Sequence, residues 1–333
     1  MNSEKTEAQD SLRMFGTITL ALRLVIGWTY FSAFWRRLVL ENKLDSDAAG
    51  YIGEKFNHFL PNALGIKPVI EYLVSNPDEL WWAMAVFTII EAIVGLFIML
   101  GLFTRLMSLG VIFLAMGILL GSGWLGTTCL DEWQIGVLGL AGGFTVLLSG
   151  GGRFSLDYLL AKHYRTGNTF RIKDSRLYKV SAIGALVILF ITLFTNQYFH
   201  GGVWGNLHNK SVKPKVEISK AEMKNGQLSF TVFRVEGADV YGSFLIGITL
   251  EDYEGKNVLS LDGKTLSNFP QQNIVNDYVA KVKPGKYSLV LPLGARARLT
   301  LKNAALKNIA SGKYILILTD ISGIEWKHEI IVE

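Results

Sequence analysis

Cysteine is nearly missing from this chain: Cys129 is the only one in 333 residues. A single thiol excludes an intrachain disulfide framework and any multi-cysteine metal or iron–sulfur site. Histidine is scarce as well. The five present, His58, His163, His200, His208 and His328, show no ligand spacing such as His-x-x-x-His, and no haem or other metal motif is visible. Charge is thin, at 18% of residues against 50% hydrophobic, and the apolar residues sit in blocks, which places the chain in the membrane class. The net charge of +5 falls largely in one basic segment, which reads as an orientation signal and not as a nucleic-acid surface. No repeat or low-complexity segment stands out. Gly150-Gly151-Gly152 closes a predicted span and is no phosphate loop, because neither a strand nor Gly-Lys-Ser/Thr follows it. The first 13 residues, MNSEKTEAQDSLR, are polar and mixed in charge. The apolar run behind them is long enough to stay as a span, so no secretory signal peptide is expected.

About 20 apolar residues cross a bilayer as a helix. Five stretches meet that length: about 14–36, 81–103, 105–125, 131–150 and 178–199. They predict a membrane-embedded helical domain over 14–200, with an outer loop at 37–80 and a cytoplasmic loop at 151–177. The outer loop alternates charged and apolar residues, and is expected to lie along the membrane surface as amphipathic helices roofing a site between the spans. After a linker at 201–214 the pattern changes to short alternating runs, LSFTVFRV (228–235), FLIGITL (244–250), YSLVLPL (287–293) and YILILTD (314–320). Turn pairs separate them: Asn225-Gly226, Glu254-Gly255, Asp262-Gly263, Pro284-Gly285 and Ser322-Gly323. The fold class is therefore a membrane α-helical bundle followed, over 215–333, by an all-β immunoglobulin-like sandwich of six to eight antiparallel strands.

The loop 151–177 carries Arg153, Lys162, Arg165, Arg171, Lys173 and Arg176 against Asp157 and Asp174. The positive-inside rule puts it in the cytoplasm. The N-terminus (1–13) is then cytoplasmic and the sheet domain extracytoplasmic. Trp28, Trp35, Trp81, Trp82, Trp124, Trp133 and Trp204 all fall near predicted outer span ends, as interfacial belts favour. That aromatic face either anchors the interface or docks a lipid-soluble ring, with Trp28 and Trp133 as the candidate ring contacts.

Charges at membrane depth are costly, ~3 kcal/mol each when unpaired, and tend to be paired and functional. Arg23 and Glu91 each lie about nine or ten residues into a span, near the midplane on a 20-residue crossing. An Arg23–Glu91 pair is expected, serving either helix register or the handling of substrate, protons or quinone. Arg105 reads as a topology residue at the inner turn. Asp131 and Glu132 open the fourth span, where carboxylates suit a helix N-terminus. Cys129 beside them is either an inert small residue or a sulfur-binding thiol. Gly95, Gly101, Gly136, Gly139 and Gly143 offer small-residue faces for close helix packing.

The segments Leu22-Arg23-Leu24-Val25-Ile26-Gly27-Trp28, Glu91-Ala-Ile-Val-Gly95 and Gly101-Leu-Phe-Thr-Arg105 resemble the DoxX/DoxD family of multi-span membrane proteins. The outer loop, the Cys-Leu-Asp-Glu-Trp segment and the fifth span beyond a four-helix core resemble DoxD more specifically, and the β-rich region resembles DoxA. These are the small and large subunits of thiosulfate:quinone oxidoreductase, here similar to a fusion in one chain. The resemblance implies an enzyme of the bacterial or archaeal cytoplasmic membrane that oxidises thiosulfate, or another small sulfur anion, to tetrathionate and reduces membrane quinone, without bound metal, haem or flavin. The resemblance itself assigns no catalytic residue; for that reaction Arg23 is the expected cation for the anion, Glu91 or Asp131 the proton relay, Cys129 a candidate acceptor of a sulfane sulfur, and Arg234, Arg296 and Arg298 steering charges. The alternative is a non-catalytic envelope protein whose spans anchor a partner-binding sandwich; a homo-oligomer or a separate envelope partner is left open.

Overall fold

The computed structural model describes residues 14–48, 50–126, 131–164, 174–238 and 242–332. They form two compact units. One gathers the helices within 14–48, 82–124 and 131–208; the other gathers 50–81, 125–126 and 209–332.

The helical unit holds α1 (Leu20–Phe34), continued by a π-helical segment (Trp35–Leu40), then α4 (Pro77–Leu100), α5 (Thr104–Ser122), α6 (Asp131–Ser149), α7 (Leu156–Tyr164) and α8 (Asp174–His200). Among the described residues, four helices, Pro77–Leu100, Thr104–Ser122, Glu132–Ser149 and Arg176–His200, are long and apolar enough to cross a membrane. The chain is a multi-pass membrane protein. The expected first span is helical too, but in pieces: a turn at 14–18 precedes α1. Helical bonding runs through the interruption, because Thr19 N donates to Phe15 O and Arg23 N to Thr19 O, both at 3.0 Å. The Thr19 hydroxyl also reaches Phe15 O and sits 2.9 Å from Ser149 Oγ, the back-bonding that disturbs a helix locally.

Glycine decides how these helices meet. A Cβ on Gly27 would stand 2.8 Å from Gly95 O, so α1 and α4 touch backbone to backbone. Along α6, Cβ atoms on Gly136, Gly139 and Gly143 would lie 2.8–2.9 Å from Leu119, Ala115 and Val111 of α5. Without a hydrophobic drive between helices in lipid, such close approach supplies the contact. Ile26, Tyr30, Val94, Ile98, Val111, Leu114 and Val146 form the bundle core. Helix α8 leans on α6 through Gly184 against Phe144 and buries Phe199 beside Gly123, while Leu186 and Phe190 among its apolar side chains face outward, as lipid-facing residues do.

The second unit is a β-sandwich. One sheet has the order β1-β2-β8-β5 and the other β10-β9-β3-β7-β6, with β4 also on β3. The strands are β1 (Lys215–Lys224), β2 (Gln227–Glu236), β3 (Ser243–Asp252), β4 (Asn257–Asp262), β5 (Ile274–Asn276), β6 (Lys283–Pro284), β7 (Leu289–Leu291), β8 (Arg296–Lys302), β9 (Gly312–Asp320) and β10 (Glu325–Val332). Every pairing is antiparallel. Ten strands stand among the described residues where six to eight are expected, the extra ones being short. Removing β6 and β7 leaves the immunoglobulin order A-B-E-D on one sheet and G-F-C-C′ on the other. Inward residues of both sheets, such as Leu228, Phe230 and Leu299 against Leu245, Leu316 and Leu318, make one core, each fully buried side chain stabilising by roughly 1.5–3 kcal/mol.

The turn residues act largely as the sequence predicts. Asn225 and Gly226 both have positive φ, the two-residue hairpin turn that pairs Lys224 with Gln227. Gly255 and Gly323 turn with φ of +81° and +82°. Asp262-Gly263 departs from expectation: Asp262 caps a short helix, α9 (Gly263–Ser267), accepting from Thr265 N at 2.8 Å.

The loop predicted at 37–80 is helical in part, and its helices pack on protein. From residue 50 on it belongs to the sandwich unit, as α2 (Ile52–Asn57) and α3 (Lys67–Ser75), with Leu60, Ile70 and Val74 buried. One face of its apolar alternation packs on protein, while Val69 and Tyr72 are exposed.

Candidate functional site

Two buried charged groups organise the helical unit, at opposite ends of α1 and not as one pair. The contacts of Gly27 with Met99 and of Gly95 with Phe31 set an antiparallel register in which Arg23 stands level with about residue 103 and Glu91 with about residue 35. At 1.5 Å per residue the two charges are then ~18 Å apart along the helix axes. The expected Arg23–Glu91 pair is therefore absent. The helix of α1 runs on past residue 36, which moves Arg23 from mid-span toward one end.

Arg23, buried to 1% exposure, donates to the carbonyl oxygens of Gly151 and Phe154. The elements around it are built for this. Gly101, with φ of +65°, ends α4: Gly101 N donates to Ile98 O and Leu102 N to Phe97 O, the double bond of a glycine C-cap. The Asp157 carboxylate then accepts from Phe103 N (2.7 Å), Thr104 N (2.9 Å) and Thr104 Oγ1 (2.7 Å), satisfying the exposed amides that open α5. Arg105 donates to Leu148 O at 3.3 Å. Arg23 thus satisfies carbonyls of the 151–154 turn, beside the Asp157 cap of α5.

Glu91 is the only buried carboxylate of the described helical residues, at 3% exposure. Its partner is Arg37, whose guanidinium donates to Glu91 Oε2. Arg37 also reaches Thr88 Oγ1 at 3.4 Å and lies 5.8 Å from the Phe87 ring centroid. Thr88 donates onward to Met84 O. Tyr30 is buried within electrostatic reach of Glu91, with Arg36 nearby. Arg37 sits in the π-helical segment, a widened turn that is rare and recurs at functional sites. Composition does not point to it, because Arg36 and Arg37 interrupt the apolar run where the first span is expected to end. The signal was there: Arg23, Gly27, Tyr30 and Arg37 follow helical spacing on one face. A carboxylate, a guanidinium, a hydroxyl and a phenol in an apolar bundle can hold and pass a proton and can hydrogen-bond a carbonyl oxygen.

The remaining expected site residues are dispersed. Cys129 lies outside the described residues. Asp131 opens α6, and its side chain lies outside them as well. Trp133 Nε1 donates to Thr195 Oγ1 at 3.0 Å, joining α6 to α8. Trp28 is 54% exposed on α1, its ring 6.0 Å from that of Phe31. Trp35, Trp81, Trp82 and Trp204 are likewise exposed, whereas Trp124 is buried to 1% and is no belt residue.

Nor do the three arginines of the sandwich form one steering patch. Arg234 is buried and donates to Leu291 O and Ala238 O. Arg296 bonds Asp277 at 2.6 Å and Glu71 at 3.4 Å. Arg298 alone of the three is exposed. No group of three or more His, Cys, Asp or Glu able to hold a metal occurs among the described residues.

Family comparison divides the chain as the fold does. The model of the TQO small subunit DoxD family matches residues 18–180, and that of the TQO small subunit DoxA family matches residues 199–329. Both are described as small subunits, so the division into a small and a large subunit is not carried by these matches.

Proposed function

Since the chain belongs to the DoxD family over its helices and to the DoxA family over its strands, we propose that it is a thiosulfate:quinone oxidoreductase in one polypeptide. Two thiosulfate ions form one sulfur–sulfur bond to give tetrathionate and release two electrons. One quinone takes those electrons and two protons to become quinol. The observation that supports this reading is the buried Glu91–Arg37 pair with Thr88 and Tyr30 inside the DoxD bundle, a set of groups suited to passing a proton.

In this reading the quinone ring enters the bundle from lipid near Arg37 and Phe87. Arg37 donates to a quinone oxygen as negative charge develops on it, an interaction stronger in the reduced than in the oxidised ring. As Arg37 turns to the quinone oxygen, Glu91 takes up a proton from water, relayed by the Tyr30 hydroxyl, and delivers it to that oxygen, and the second proton of the quinol comes from water. Quinone would be the acceptor and no metal, haem or flavin is invoked. The five-span arrangement counts 14–40 as a span together with the four long helices. The basic connection after α6 favours a cytoplasmic N-terminus and an extracytoplasmic sandwich, where a soluble sulfur anion arrives. Cys129 as sulfur acceptor and Asp131 as a second relay stay part of the proposal.

The test is thiosulfate-dependent reduction of a quinone analogue by the purified protein in lipid. Glu91→Gln, isosteric and uncharged, is expected to lower turnover at least tenfold with the protein still folded. Full activity in that variant would remove Glu91 from the mechanism.

A further inference from the structure

The contacts of residues 50–81 carry an inference about association. These residues lie within the stretch matched by the DoxD model, yet they are folded into the sandwich that the DoxA model matches. Asn57 is fully buried and uses both ends of its amide: Nδ2 donates to Gly294 O at 2.8 Å, and Oδ1 accepts from Ala280 N at 3.2 Å. Gly294 has φ of +75°, and a Cβ there would run into the Asn57 backbone. Val279 N donates to Val74 O at 3.2 Å, adding main-chain contact. Asn62 Nδ2 donates to Val235 O at 2.9 Å, and Lys210 Nζ donates to Asn62 Oδ1 at 3.2 Å.

A charged cluster closes the edge. Glu71 Oε1 accepts from Tyr278 Oη at 2.6 Å and from Arg296 at 3.4 Å, while Arg296 lies 4.4 Å from the Tyr278 ring centroid and bonds Asp277. Burial, then the hydrogen bond to Glu71, pushes the Tyr278 hydroxyl above its ordinary range. Buried polar groups matched on both sides are what specific interfaces use to reject wrong partners. A loop that only connected two spans would need none of them.

We infer that residues 50–81 are the docking element by which the DoxD portion holds a DoxA domain, and that this element retains the domain without the covalent connection through 201–208. The partner it fits is an immunoglobulin-type sandwich offering Ala280 N, Gly294 O, Tyr278 and Arg296 in this arrangement, fused here and separate where the two families occur on separate chains. The inference concerns association and stands whether or not the chain reduces quinone.

The experiment uses the full chain with a site-specific protease sequence placed in the exposed stretch 202–207, cut after folding and purification in detergent. Co-elution of the sandwich with the helices in size exclusion is the readout. The cut wild type is expected to remain one species. Glu71→Gln, a change at the interface edge that leaves both cores intact, should raise the released fraction several-fold, and Asn57→Ala together with Glu71→Gln should release most of the domain. Ser211→Ala removes a different tie, to Gly126 O, and should release none. Release of the sandwich from the cut wild type would overturn the inference. So would retention in both Glu71→Gln and the double variant, or release by Ser211→Ala alone.

Discussion

At the scale of single residues, the two buried charges described in the bundle have separate partners. Arg23 satisfies turn carbonyls, and Glu91 is neutralised by Arg37. Removing one member of a buried pair leaves an uncompensated charge, at a cost of about 3–5 kcal/mol, while replacing both is often nearly neutral. Arg37→Met alone should therefore lower thermal stability in detergent markedly. Arg37→Met with Glu91→Gln should recover most of that stability and still fail to reduce quinone. Recovery of both properties would reduce the pair to packing. Arg23→Met is expected to cost stability, because it strands the Gly151 and Phe154 carbonyls, with turnover per folded molecule changed less than threefold. A folded but inactive Arg23→Met protein would return Arg23 to the substrate path. Glu91 was legible in the sequence because a carboxylate in an apolar run is conspicuous. Its partner was not, because helix length past residue 36 depends on π-helical bonding that composition does not report.

At the scale of elements, glycine placement and strand patterning were readable in advance. Gly95, Gly136, Gly139 and Gly143 all stand where helices touch, since small residues are what permits contact in lipid. Gly95→Val would push a side chain into the Phe31 backbone. Overpacking of this kind costs about 1–3 kcal/mol, and a lower unfolding temperature of the solubilised protein is expected. An unchanged unfolding temperature would contradict the α1–α4 contact. Asn225-Gly226 gave its hairpin by requiring positive φ at both positions, whereas β6 and β7 were hidden because strands of two and three residues leave no alternation to read. The attachment of 50–81 to the sandwich was not legible in the sequence, for a physical reason. Amphipathic periodicity says that one face is covered, but a membrane surface and a sandwich cover an apolar face equally well. Buried hydrogen bonds such as that of Asn57 to Gly294 O separate the two, and they appear only in three dimensions. Asn57→Ala leaves Ala280 N and Gly294 O without partners and should destabilise the sandwich unit by about 1–3 kcal/mol, measurable by urea unfolding followed through Trp326 fluorescence.

At the scale of the whole molecule, a DoxD bundle and a DoxA sandwich share one polypeptide, and the chain crosses back into the sandwich unit twice before residue 209, at 50–81 and near 125. The boundary between units, at residues 208 and 209, falls inside the linker predicted at 201–214. The division into helices and strands was legible throughout, because long apolar blocks and short alternating runs have different physical causes. The interleaving was not, because it depends on which surfaces meet. The central claim is electron transfer from a sulfur anion to quinone through the DoxD bundle, and its most direct measurement is quinone-analogue reduction by purified protein in lipid vesicles, with thiosulfate as the sole donor and tetrathionate measured as product. One tetrathionate per quinol is predicted for the wild type, with at least tenfold loss in Glu91→Gln. Folded wild-type protein that reduces no quinone with thiosulfate or any related sulfur anion would contradict it.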